Sequence, residues 1–259
     1  MALTVGEARR ERVATDWTPP VLRPRQGVVE RWGVRAGPGH PVLVFLAGML
    51  AAVALISTVS IALGFLVTRL ILHIGGVAGW DEHVNVWLAA HRTPFRTHVS
   101  LIGSIVSGGV VLPIVVGLAA VVCAAFRKWR VAAFVVFVLG VESASYRITT
   151  LVIHRHRPRV VRLEHLPVNA SYPSGHTAAS IAVYCGLALL LSSLVKNLAF
   201  RVAVWAVAVL IVALDVFSRL YRGMHHPIDV AGGMVVGVAA VCLLVLVCRA
   251  SGAAAERLS

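Results

Sequence analysis

Long apolar stretches alternate with short polar connections along most of the chain. Four stretches contain no Asp, Glu, Lys or Arg, and two are each interrupted by one acidic and one basic residue. All are close to or above the roughly 20 residues that a helix needs to cross a bilayer. They cover residues 36–68, 97–126, 131–153, 177–195, 202–220 and 230–247. The pattern predicts an all-α, polytopic membrane protein with six transmembrane helices.

The segments outside these stretches divide the chain into a membrane domain and two tails. Residues 1–40 are rich in Arg, Pro and Gly and show no apolar periodicity, so they are predicted to form a basic, disordered cytoplasmic tail. Residues 41–250 are predicted to form the membrane domain, and residues 251–259 a second cytoplasmic tail. A cleavable signal peptide is not expected, because a polar segment precedes a first apolar run that is too long for one.

A short amphipathic helix is predicted between the first two spans, over residues 80–88. Helical spacing places Val84, Trp87 and Leu88 on one face of it. Such a face suits a membrane interface, so we expect this helix at the outer membrane surface, opposite the two tails.

Composition agrees with a membrane protein. Hydrophobic residues make up 58% of the 259 residues and charged residues 14%, whereas soluble domains contain about 25% charged residues. The chain nevertheless has a net charge of +13, from 24 Lys and Arg against 11 Asp and Glu. In a soluble protein this excess would favour nucleic-acid binding. In a membrane protein, the positions of the basic residues decide what the charge means.

Most of the basic residues fall into two groups. The larger group lies on the side that holds both termini, which is therefore predicted to be the cytoplasmic face of the plasma membrane. It comprises Arg9, Arg10, Arg12, Arg23, Arg25, Arg31, Arg35, Arg127, Lys128, Arg130, Lys196, Arg201, Arg249 and Arg257. A dense group on the other face breaks the rule that basic residues stay inside, and it indicates an anion site rather than nucleic acid. It comprises Arg155, Arg157, Arg159, Arg162, Arg219 and Arg222.

Three polar segments share this outer face, at residues 150–158, 172–177 and 218–229. Ser174 is a good N-cap, so the fourth helix is predicted to begin at Gly175, with its free amide groups forming an anion site. Gly175 would let an oxygen approach the backbone. Arg157 and Arg219 can each bind phosphate oxygens with two forked hydrogen bonds.

The histidines of these segments are suited to phosphoryl chemistry without a metal. Asp229 follows His225 by about one helical turn, so its carboxylate is expected to accept a hydrogen bond from one imidazole nitrogen. This would fix the tautomer and leave the other nitrogen as a nucleophile. His176 would act as the acid and base group. No set of histidines and carboxylates suggests a metal site, and no cofactor is expected.

The segments Arg157-Pro158, 173–176 (Pro-Ser-Gly-His) and 218–229 (Ser-Arg-x5-His-x3-Asp) resemble the three signature motifs of the type-2 phosphatidic acid phosphatase superfamily. The resemblance covers about residues 79–250 and implies a membrane lipid phosphatase. It implies that His225 forms a phosphohistidine with the help of Asp229 and that His176 is the acid and base group. The implied phosphate ligands are Arg157, Ser174, Gly175 and Arg219.

One position departs from the family pattern, because Thr150 stands where the first motif has a lysine. Arg147, nearly one turn earlier, is a candidate replacement, although it could equally form a structural ion pair with Glu142 or Asp215. Arg155 and Arg222 are further candidates. Asp215 itself, four residues before Arg219, is expected to orient or neutralise that arginine.

The remaining histidines in these segments have no motif role. His154, His156 and His226 are expected to be solvated loop residues. Gly232, Gly233 and Gly237 are interpreted as sites of close helix packing.

The leading hypothesis is a metal-independent hydrolase of a lipid phosphate monoester or pyrophosphate. Its substrate would be polyprenyl pyrophosphate, phosphatidylglycerol phosphate or phosphatidic acid. The lipids of the membrane would be its other partners. The alternatives are a lipid-phosphate phosphotransferase and a non-catalytic protein that binds or transports lipid phosphates. The sequence leaves the oligomeric state open.

Overall fold

A computed structural model of the protein describes residues 18–25, 27–36 and 40–257. Within these ranges the chain is helical and contains no strand, only an isolated bridge between Arg155 and Ala170. The helices of this part are α1 (Val28–Ala36), α2 (Pro41–Arg69), α3 (Val77–Ala90), α4 (Pro94–Val106), α5 (Val111–Ala125), α6 (Trp129–Val152), α7 (Gly175–Leu194), α8 (Leu198–Tyr221) and α9 (Pro227–Glu256). A π-helical turn at Ile181–Cys185 interrupts α7.

Five helices, α2 and α6 to α9, are each long and apolar enough to cross a membrane. Helices α4 and α5 together make a sixth span, which is bent by 44° at its break. The prediction of an all-α, multi-pass membrane protein is therefore confirmed. The second span was expected to be continuous and is not, because α4 ends at Val106 and the connection to α5 includes Gly108 and Gly109.

Helix α9 lies at the centre of the bundle, where it packs against α1, α2, α6 and α7. A Cβ atom at Gly233 would lie 2.4 Å from the Ser174 carbonyl oxygen, and one at Gly237 would lie 2.6 Å from that of Ala178. A Cβ at Gly232 would lie 2.5 Å from the Tyr172 ring. The interpretation of these glycines as close-packing positions is confirmed.

The prediction of a disordered tail over residues 1–40 is wrong where the structure describes this segment. Residues 28–36 form α1, and a Cβ at Gly33 would lie 2.6 Å from the Ala250 carbonyl oxygen of α9. Nine residues are too few to establish an apolar period, so the sequence pattern missed this helix. Residues 1–17, 26 and 37–39 lie outside the described ranges, as do 258–259. Most of the predicted second tail is helical, because α9 continues to Glu256.

The predicted amphipathic helix is α3, which extends beyond residues 80–88 at both ends. Trp80 and Trp87 are more than half exposed, whereas Asp81 and Asn85 are fully buried. Its inward face is therefore polar, and this face reaches the site described next.

Candidate active site

The three motif segments meet at one end of the bundle. The first lies in the loop after α6, the second begins α7, and the third connects α8 to α9. The Ser174 amide donates to the Asp229 carbonyl oxygen at 2.9 Å, and the His225 amide donates to that of Arg219 at 3.3 Å. The first bond joins the second and third segments, and the second bond lies within the third segment.

The second motif is connected to the third through a chain of side chains. Ser174 is the N-cap of α7 as predicted, and its hydroxyl lies 2.9 Å from that of Thr177. Thr177 donates to Asp215 Oδ2 at 2.8 Å. Asp215 Oδ1 lies 3.7 Å from Arg219 Nε, so this carboxylate pairs with the arginine, as expected.

Gly175 and His176 begin α7 at the partly exposed edge of the site. A Cβ atom at Gly175 would lie 2.9 Å from the Tyr146 ring, so glycine is needed there for packing. His176 lies within electrostatic range of the Arg157 and Arg219 guanidinium groups.

His225 is held by two contacts that define its chemistry. Its Nδ1 lies 2.6 Å from the Ser171 carbonyl oxygen, which can only accept, so Nδ1 carries the proton. Its Nε2 lies 3.3 Å from Nη1 of Arg157 and is left with a lone pair. Burial, together with the nearby Arg157 charge, holds the pKa of His225 well below its usual value. The imidazole is therefore neutral at physiological pH.

Asp229 does not bind His225 in the way the spacing predicted. Its carboxylate accepts hydrogen bonds from Arg155 Nη1, from the Ser171 hydroxyl at 2.6 Å and from the His226 amide at 2.9 Å. The reason is local, because Asp229 is the third residue of α9 and its side chain turns back to cap the helix start. Ser171 supplies the orienting acceptor for His225 instead.

His226 is buried rather than solvated, which corrects the expectation from sequence. Its Nδ1 lies 3.2 Å from Asp229 Oδ2 and its Nε2 lies 3.2 Å from Glu82 Oε2. His154 and His156 are exposed, as expected. His226 connects α3 to the start of α9.

Helix α3 holds the third motif through residues that sequence reasoning missed. Asp81 pairs with Arg155 and accepts from the Ile228 amide at 3.1 Å. Asn85 donates to the carbonyl oxygens of Leu220 and His225, both at 2.9 Å. These contacts fix both ends of the loop that carries His225.

Glu164 is the second feature that the sequence did not indicate. It accepts from both terminal nitrogens of Arg219 at 3.0 Å, from Arg222 Nε at 2.5 Å and from the Ser104 hydroxyl at 2.6 Å. Burial alone would raise the pKa of Glu164, but the hydrogen bonds and charge of Arg219, with help from Ser104 and Arg222, lower it to about 2. The fork of the predicted phosphate ligand Arg219 is thus occupied by a carboxylate.

Arg157 reaches the site while also holding its loop. It donates to the carbonyl oxygens of Pro167 at 2.8 Å and Ala170 at 2.9 Å, and to that of Met224. Its contact with His225 Nε2 nevertheless puts its charge beside the atom proposed to attack phosphorus.

None of the candidate replacements for the missing lysine is a free cation at this site. Thr150 only donates to the Arg147 carbonyl oxygen at 2.9 Å, and Arg147 is exposed, with no ion pair to any described residue. Arg155 is neutralised by Asp81 and Asp229, and Arg222 by Glu164. Among the described residues, no group of three His, Cys, Asp or Glu side chains could hold a metal ion.

Comparison with known proteins supports the grouping of these motifs. Residues 131–252 match the family model of the PAP2 superfamily. Phosphatidylglycerophosphatase B of Bacillus subtilis (strain 168) is 29% identical over 185 residues, which are 70% of this chain and 89% of that protein. The chain is thus similar to the PAP2 superfamily over the region from α6 to α9.

A solved structure extends this similarity to the fold. It is the crystal structure of the first transmembrane PAP2 type phosphatidylglycerolphosphate phosphatase from Bacillus subtilis. The two share a TM-score of 0.61 and 28% identity over 72% of this chain and 92% of that one. Family, fold and relatives together identify a multi-pass membrane phosphatase, a phosphoric monoester hydrolase that acts on lipid phosphates.

Proposed function

We propose that this phosphatase removes the terminal phosphate of a membrane lipid at the outer face of the plasma membrane, through a phosphohistidine at His225. Phosphatidylglycerol phosphate is the first substrate to test, because both relatives are named for that activity. Polyprenyl pyrophosphate and phosphatidic acid carry the same kind of terminal phosphate. The observation that carries the proposal is the His225 imidazole, with Nδ1 bound to a carbonyl oxygen and Nε2 beside Arg157.

In the first step, His225 Nε2 attacks phosphorus in line with the lipid oxygen. The N–P bond forms as the P–O bond to the lipid breaks, and His176 donates a proton to the departing oxygen. Nδ1 keeps its proton and continues to donate to the Ser171 carbonyl oxygen, and this hydrogen bond stabilises the cationic ring. Arg157 stabilises the charge on the transferring oxygens.

In the second step, water attacks the phosphohistidine. His176, now neutral, takes a proton from that water as its oxygen bonds to phosphorus. The N–P bond breaks, inorganic phosphate leaves and His225 regains its lone pair. Because arginines supply the positive charge, we expect excess EDTA to leave the activity unchanged.

Arg219 binds the substrate phosphate in this scheme by exchanging Glu164 for the phosphate oxygens. A phosphate group offers the planar fork of Arg219 the same pair of acceptors that Glu164 now supplies. We infer that the substrate phosphate takes over these hydrogen bonds and that Glu164 retains Arg222 and Ser104.

The direct test is phosphate release from a panel of the three lipids by purified wild type and His225→Ala. We expect a loss of about a thousandfold or more, because the nucleophile is absent. His156→Ala is the matched control, since that histidine is exposed in the same region. Full activity of His225→Ala would overturn the proposal. Phosphorylated acceptor in place of free phosphate would indicate a phosphotransferase.

The intermediate can be tested separately. Acid-labile, base-stable radioactivity should remain on the protein after brief reaction with ³²P-labelled lipid and a denaturing quench. Peptide mapping should place the label on His225. A label on any other residue would exclude this route.

A further inference from the structure

An apolar groove follows α2 and α9 on the membrane-facing side of the bundle. It consists of a cavity of about 370 Å³ towards the predicted cytoplasmic face and one of about 280 Å³ above it. Leu55 and Leu243 line both cavities, so the two cavities are adjacent. Along α9 it extends from Gly232 to Ala250, about 27 Å at roughly 1.5 Å per residue. This is close to the hydrocarbon thickness of a bilayer, about 30 Å.

Helix α1 covers the cytoplasmic end of this groove. Val28 and Trp32 line the lower cavity while remaining 73% and 45% exposed. The opposite side of α1 is anchored, because Gly33 lies against the Ala250 backbone. Tryptophan at this depth is typical of the membrane interface.

The mouth of the groove is positively charged. Arg31 and Arg35 flank Trp32 and are exposed, and their guanidinium groups form no ion pair with any described residue. The one acidic residue of α1, Glu30, is buried against the protein. It lies within electrostatic range of Arg249, and so does Arg25, which adds a further positive charge.

We propose that this groove binds one anionic phospholipid. An acyl chain lies against Trp32, Leu55 and Leu243, and the headgroup phosphate lies on Arg31 and Arg35. The lining of the groove is apolar, which suits a hydrocarbon chain, and each arginine near an anionic lipid surface gives a preference of about fivefold. The proposed headgroup position is at the opposite end of the bundle from His225, whereas the upper cavity reaches Gly232, near the start of α9.

Quenching of Trp32 fluorescence by brominated lipids tests the proposal on the full chain in vesicles. The chain has six tryptophans, so the Trp32 signal is the difference between wild type and Trp32→Phe. We expect brominated phosphatidylserine to bind about tenfold more tightly than brominated phosphatidylcholine. Both lipids are phosphodiesters and therefore are not monoester substrates of the phosphatase site.

Two variants separate the headgroup from the chain. Arg31→Gln with Arg35→Gln should bring the two lipids to within about twofold of each other, whereas Arg201→Gln, an exposed arginine elsewhere on the predicted cytoplasmic face, should keep the preference. Ala51→Phe fills the lower cavity and should reduce quenching by both lipids severalfold, whereas Val207→Phe on α8 should not.

Equal quenching by the two lipids in wild type would overturn the proposal, and so would a preference that survives the double arginine variant. Displacement of brominated phosphatidylserine only by a polyprenyl phosphate would also overturn it, because the groove would then hold a substrate chain. Unchanged phosphate release in the arginine and Ala51 variants shows that they are folded.

Discussion

The imidazole of His225 has its tautomer set by a backbone carbonyl rather than by a carboxylate. A carbonyl cannot be protonated or titrated in the working range, so Nδ1 keeps its proton, while burial and the Arg157 charge disfavour a proton on Nε2. Asp229, the acidic residue of the third motif, affects His225 only indirectly, through its hydrogen bonds with Arg155, Ser171 and the start of α9.

The pH dependence of activity follows from this environment. Because burial and Arg157 lower the pKa of His225, the nucleophile stays deprotonated below the ordinary histidine value of 6.5. We expect the acid limb of kcat/KM, corrected for the ionisation of the substrate phosphate, to have its midpoint below pH 6.5. A midpoint at or above that value would contradict the buried, neutral imidazole.

A second prediction concerns the competition between Glu164 and the substrate phosphate for Arg219. Glu164→Gln removes the charge that competes with phosphate for Arg219, so KM should fall about tenfold while kcat changes little. Glu164→Asp, which keeps the charge, is the control. Separate kcat and KM values decide the matter, since an increased KM would mean that Glu164 positions Arg219 instead of competing for it.

At the scale of elements, the site depends on how closely α9 approaches the start of α7. Gly233→Ala would force its Cβ against the Ser174 carbonyl oxygen and push the two motifs apart. We expect a loss of about 1–3 kcal/mol in stability, as for other overpacked positions, together with lower kcat. Thermal unfolding in detergent and phosphate release measure the two effects.

Gly140→Ala is the matched control for that substitution. A Cβ at Gly140 would meet no atom within 4 Å, and alanine favours a helix over glycine. This variant should be neutral or slightly stabilising. Similar behaviour of the two variants would show that close packing at Gly233 is not what holds the motifs together.

The parts predictable from sequence were those encoded locally. Charge-free runs marked the spans, and Ser174 marked the start of α7 because capping involves neighbours in the chain. The contacts of Asp81, Asn85 and Glu164 were missed because their partners lie at least 55 residues away. Asp229 was assigned the wrong partner because spacing alone could not show that its side chain caps α9.

At the scale of the whole molecule, the orientation in the membrane remains a prediction that labelling can test. Val168 lies on an exposed loop near the site, and Phe126 is exposed at the other end of the bundle, near Arg127. In a variant without the four native cysteines, a membrane-impermeant maleimide should label Val168→Cys in intact cells but not Phe126→Cys. The reverse pattern would invert the predicted topology.

We expect helix α3 to connect the membrane interface with the loop that carries His225. We expect its two exposed tryptophans to lie at the membrane interface, while Asp81 and Asn85 hold the loop that carries His225. A change in bilayer thickness that moves the interface therefore displaces the nucleophile. Hydrolysis of a water-soluble aryl phosphate, which needs no delivery through the membrane, should differ severalfold between vesicles of 14-carbon and 22-carbon phosphatidylcholines. Equal rates would show that α3 is held by the protein alone.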